Sequence, residues 1–153
     1  MEKQLDTLRK IRNIVRQILD GLSLEEINKV PAGFSNNIAW NAAHIVAAQE
    51  GVCYLRAGKE MMIERSFFDR YKPDTTPQGE ITAAELDEIK TLLSTTIDRL
   101  EKDISENKEW NYPTWTTRYG VEITSIKDAV NFLSFHEGLH TGYIMALRKA
   151  VRA

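Results

Sequence analysis

The chain contains three histidines, and their placement is its clearest chemical signal. His136 and His140 bracket the run His136-Glu137-Gly138-Leu139-His140, while His44 lies far upstream in an apolar stretch. On a helix, residues four apart are about 40° apart around the axis, so the pair shares one face. Neutral imidazole binds zinc, nickel, copper and iron, and the three together predict a metal site. The five-residue run also matches the zincin protease motif, in which the glutamate is the base and a third ligand lies downstream. Residues 141–153 contain no His, Asp, Glu or Cys. The protease cannot be completed from that tail, and the third ligand is expected upstream at His44.

Three neutral ligands leave the ion its full charge and an open coordination position, as in catalytic sites. Zinc can lower the pKa of bound water to about 7, and a coordinated thiol is deprotonated. The first effect leads to hydrolysis, the second to thiol transfer onto an electrophile. Glu137 lies about 100° round the helix from His136; it is read as a general base, with a solvated or interface carboxylate as the equal alternative. Trp40 and Tyr143 sit within a turn of the ligands and would wall a substrate pocket, or simply pack in the core. Asn41, three residues before His44, would supply a polar contact or fill a helix surface. Trp115 and Tyr119 would cover one end of the bundle. Gly138 and Gly142 face away from the histidines, where a close helix contact or dimer seam would fit.

Four helices must position these residues. The first, near 3–20, carries Leu5, Leu8, Ile11, Ile14, Val15 and Ile18 at helical spacing and stops near Gly21. Ser23 with Glu26 forms a capping box for a short turn. The second helix starts at Asn36 or Asn37 and runs to about Arg56, with Trp40, Ala47, Ala48, Gly51 and Leu55 on the His44 face. Cys53 lies about 180° from His44 on a regular helix and reads as a small buried hydrophobe, not a reactive thiol. Residues 57–81 form a long polar connection that can cross the end of a bundle. Thr82 and Glu85 cap the third helix, where Leu86, Ile89, Leu93, Ile97, Leu100 and Ile104 repeat cleanly. The segment 106–123 reads as a loop or short hairpin. Thr124 or Ser125 then opens a fourth helix to about Arg148, with Ala129, Phe132, Leu133, Tyr143 and Leu147 on the histidine face.

The expected fold is therefore all-α, a four-helix bundle in one domain over 1–153. Apolar content of 42% and charged content of 27% are ordinary for a globular protein. Twenty basic residues against 22 acidic ones, net −2, argue against nucleic acid as a partner. No apolar run approaches the roughly 18 residues of a membrane span. The N-terminus has no apolar signal region and the single cysteine excludes an internal disulfide, so a cytoplasmic location is expected.

The run Pro31-Ala-Gly-Phe-Ser-Asn-Asn-Ile-Ala-Trp-Asn-Ala-Ala-His44, followed by Phe135-His-Glu-Gly-Leu-His140-Thr-Gly-Tyr-Ile, resembles the DinB/YfiT-like superfamily of metalloenzymes. The resemblance spans essentially the whole chain. It implies a four-helix bundle, commonly a homodimer, holding a divalent metal on His44, His136 and His140. Zinc or nickel is expected first, iron or manganese next. Characterised members include thiol-dependent transferases such as bacillithiol S-transferases and a mycothiol-dependent isomerase. It thus implies a small-molecule substrate, with a low-molecular-weight thiol as co-substrate. The expected function is a metal-dependent S-transferase or related hydrolase. The alternative is a non-catalytic metal-binding or sensing bundle.

Overall fold

A computed structural model describes residues 1–106 and 110–153, so positions 107–109 of the expected loop lie outside the described residues. Helix α1 (Glu2–Asp20) buries Leu5, Leu8, Val15 and Ile18, the stripe expected from its spacing. It also buries Arg12, while Ile14 is left exposed. Ser23 and Glu26 cap the short helix α2 (Leu24–Asn28) reciprocally.

Helix α3 (Ile38–Gln49) starts where the Asn37 side chain accepts the Trp40 N–H. Every one of its twelve residues is buried, the polar Asn41, His44 and Gln49 included. The expected second helix does not stay α-helical to Arg56. From Glu50 to Leu55 it widens into a π-helical turn, closed by the Arg56 N–H on the Gly51 carbonyl at 3.1 Å.

The connection 57–81 is also more ordered than its polarity suggests. It contains α4 (Arg65–Tyr71), whose Phe68 and Tyr71 are buried and which packs on α3. A Cβ at Gly51 would stand 2.9 Å from the Phe68 ring, so this close approach requires glycine. Three aromatics at positions 67, 68 and 71 supply the apolar face that the flanking polar residues mask in the sequence.

Helix α5 (Ala83–Ser105) opens with the Thr82–Glu85 capping box and buries Leu86, Ile89, Leu93, Ile97 and Leu100. Trp115–Thr116 (β1) and Glu122–Ile123 (β2) form a small antiparallel hairpin, Trp115 opposite Ile123. Helix α6 (Ile126–Val151) follows, capped by the Ser125 side chain on the Asp128 N–H. The fold is mostly helical with this one two-stranded sheet among the described residues. Both α1 and α3 pack on α5 and α6, and it is the contact of α3 with α6 that unites His44 with the other two histidines. No helix is long and apolar enough to cross a membrane among the described residues.

Candidate metal centre

The three histidines converge. Each offers a ring nitrogen to a group whose members lie within 4.8 Å of one another. His44 Nε2 stands 3.3 Å from His136 Nε2, and the His140 ring centre is 4.6 Å from both other rings. Two imidazole nitrogens bound tetrahedrally to one zinc, at about 2.0–2.1 Å each, are about 3.3–3.4 Å apart. The His44–His136 pair already has that spacing.

Hydrogen bonds behind the rings fix two of the three tautomers. His44 Nδ1 is 2.7 Å from the Tyr71 carbonyl, which can only accept, so Nδ1 carries the proton and Nε2 keeps its lone pair. Asn41 does the same for His140. Its amide nitrogen donates to Asn36 Oδ1 and to the Asn37 carbonyl, leaving Oδ1 to accept from His140 Nδ1 at 2.9 Å. His136 Nδ1 is buried without a protein partner. Trp40 stacks flat on His44 at 4.6 Å and 10°, its Nε1 donating to Thr75 Oγ1.

Burial pushes all three imidazoles down, His136 and His140 to about 3. Repulsion from neighbouring imidazoles adds to this at His136 and His140, and the Arg118 charge adds to it at His44 and His136. At neutral pH the three rings are therefore neutral, which is the form that binds metal. Neutral charge, converging nitrogens and locked tautomers fit a divalent ion on three nitrogen ligands.

Beside the histidines lies a cavity of about 810 Å³. Trp40, Ala47, Ala48, Gly51 and Leu55 line it from the His44 side, Phe132 and Leu139 from α6. The hairpin region closes it with Trp115, Thr117, Arg118 and Tyr119. Trp115 and Tyr119, expected over one end of the bundle, line this cavity.

Not every expected site residue is brought there. Asn41 is buried and serves His140, not a substrate. Tyr143 is outside the cavity lining and meets Phe34 edge-on at 5.6 Å. It is one helical step of about 4.5 Å beyond His140, on the side away from Phe132 and the hairpin. Glu137 is also absent from the lining. It is fully buried on another face of α6, where Arg12 Nη2 donates to its carboxylate at 2.6 Å and Nε at 3.0–3.2 Å. The 100° offset that left its role open in the sequence here turns the carboxylate to Arg12 of α1. Cys53 is buried and outside the lining, its thiol pushed up by desolvation.

Sequence reasoning missed Arg56, Asp74 and Arg118, which also line the cavity, and the Tyr71 carbonyl. A backbone acceptor carries no sequence signal. Arg118 had one, as the charged residue of the turn before Gly120, whose φ is +76°.

A crystal structure of a conserved protein from Enterococcus faecalis has the same fold: TM-score 0.68 at 13% identity, covering 98% of this chain and 95% of that one. Among curated proteins none matches. The family model of the DinB superfamily matches residues 7–144, and the chain belongs to that superfamily.

Proposed function

We propose that the protein is a divalent-metal-dependent enzyme that uses His44, His136 and His140 to activate the thiol of a small co-substrate for transfer to an electrophile, with metal-dependent hydrolysis as the related reaction. The observation that carries this reading is the convergence of three neutral imidazoles, two of them braced from behind, on the wall of a cavity large enough for a small molecule. A divalent ion held there, zinc or nickel first, would supply Lewis acidity at its open position. The chain's own part is to keep all three rings neutral by burial, to orient His44 and His140 through Tyr71 and Asn41, and to shield the site with Trp40 and the hairpin.

Thiol transfer is placed ahead of hydrolysis on the resemblance to thiol-dependent members of the superfamily. Of the two carboxylates near the histidines, Asp74 is engaged by Arg118 and Glu137 is held by Arg12.

The same reading includes a four-helix bundle of α1, α3, α5 and α6, supported by their pairwise packing, and a cytoplasmic setting. It also includes a homodimer, supported by the exposed apolar residues Phe135, Leu139, Tyr143 and Met145 on α6 beside Gly138 and Gly142. Metal analysis after purification without nickel resin tests the central claim. About one divalent ion per chain is expected, restored by reconstitution after chelation. Near-zero metal that reconstitution leaves unchanged overturns it.

A further inference from the structure

The charge around the cavity has the opposite sign to the chain. The protein carries a net −2, yet the described cavity lining holds two arginines, Arg56 and Arg118, against the single carboxylate of Asp74. The two arginines are held differently. Arg118 Nη2 donates to both oxygens of Asp74 at 3.1–3.2 Å, joining the hairpin turn to the connection after α4. Both side chains are largely exposed, 55% and 81%, and such pairs are weak and open easily. Asp74 also occupies the left-handed region, φ +65°, which places its carboxylate at the cavity rim.

Arg56 has no carboxylate partner among the described residues. Its guanidinium lies over Trp115, 3.8 Å from the ring centre. A guanidinium resting on an aromatic face keeps the N–H fork at its edge, the geometry that receives a carboxylate or phosphate bidentately. The space between these cations and the histidines is walled by Trp40, Leu55, Phe132 and Tyr119, all apolar or aromatic.

We propose that the cavity selects an amphiphilic oxyanion: a molecule with an apolar body against these walls and a carboxylate or phosphate received by Arg56 and Arg118. The incoming oxyanion displaces Asp74 from Arg118, so that pair is the contact the substrate opens. This rests on the cavity being the substrate site, and it assigns Arg56 and Arg118 as specificity residues. Asp74 sets the threshold for entry.

Phenylbutyrate, phenylbutyl phosphate and the neutral phenylbutanol are the probes, titrated calorimetrically into the full chain both free of metal and loaded with zinc. In the metal-free protein the arginines alone distinguish acid from alcohol. The oxyanions are expected to bind about ten-fold tighter than the alcohol, from charge-assisted hydrogen bonds in a half-open site. Arg118→Ala and Arg56→Ala each reduce that ratio several-fold; Asp74→Asn, which frees Arg118, raises it. Comparing carboxylate with phosphate identifies the preferred headgroup. Equal binding of acid and alcohol, no binding of any probe, or a ratio indifferent to all three substitutions overturns the proposal. A metal-free chain that prefers the oxyanion yet takes up no zinc would leave this inference standing and remove the metal-dependent function.

Discussion

Two buried polar clusters share the run from His136 to His140, and they satisfy their atoms in opposite ways. On one face, Glu137 meets Arg12, and each guanidinium nitrogen finds an acceptor: Nη1 reaches the Leu93 carbonyl and Thr96 Oγ1 while Nε and Nη2 hold the carboxylate. On the other, His44 and His140 are braced from behind, and the three imidazoles converge on one another beside a cavity. A closed network needs nothing more and ties α1, α5 and α6 together. An open one is complete only when something enters it. The same glutamate that suggests a catalytic base in the sequence is part of the frame that holds the histidines' helix.

The sharpest way to break this contrast is to cut the closed cluster. Glu137→Ala should cost about 3–5 kcal/mol in urea unfolding, because Arg12 is left buried and unpaired. Replacing both partners, with Arg12→Met and Glu137→Leu, should recover most of that loss. Metal uptake by the folded fraction should remain intact. If Glu137→Gln instead preserves stability but removes activity, the glutamate is catalytic after all.

His44→Ala tests the open cluster and should behave in reverse. Zinc at a hundred-fold excess over its dissociation constant should stabilise the parent by about 2.7 kcal/mol, and thermal melting with and without zinc should show this gain vanish in the variant. If the metal-free parent itself fails to fold, the ion is structural. Asn41→Ala removes the brace on His140, with two local hydrogen bonds to Asn36 and Asn37, and leaves all three histidines in place. It should weaken zinc binding by about 10–100-fold in a chelator competition, with the stoichiometry unchanged.

Acid should test the open cluster without any substitution. Unfolded imidazoles take protons near pH 6.5, whereas His136 and His140 in the fold resist until about 3. Between these values the unfolded state binds more protons, so metal-free stability falls as pH drops from about 6.5 toward 3, by up to about 1.4 kcal/mol per pH unit for each imidazole. Denaturation midpoints that stay flat from pH 7 to 5 would contradict the neutral, buried histidines.

Much of this was legible in the sequence where one physical rule dominated. The apolar repeats of α1, α5 and α6 and the caps at Ser23, Thr82 and Ser125 marked the helices, and the empty tail after His140 directed the search to His44. Helix α4 was hidden because three aromatics in seven residues are too few to reveal a period. Arg12 has no place in an apolar repeat, yet it is buried on the same helix. A charge between Leu8 and Val15 on a buried face is itself a signal, since it demands a buried counterion. Tyr143 shared an angular face with His136 but not its height along the helix, a coordinate that periodicity does not carry.

The π-helical turn at Glu50–Leu55 bears on how such a cavity could be remodelled. On a regular helix, Leu55 would lie within about 20° of His44 around the axis and Arg56 about 120° away. The wider turn lets both border the same space as Gly51. Because the extra residue of a π turn is a local insertion, deleting one position between 52 and 54 would rewind the segment to α. His44 lies upstream and would keep its place, and Arg56, then the eleventh residue from it, would stay on the cavity side while Leu55 turned about 80° away. A single-codon length change would then exchange one apolar wall residue while keeping both the three histidines and the arginine at the cavity.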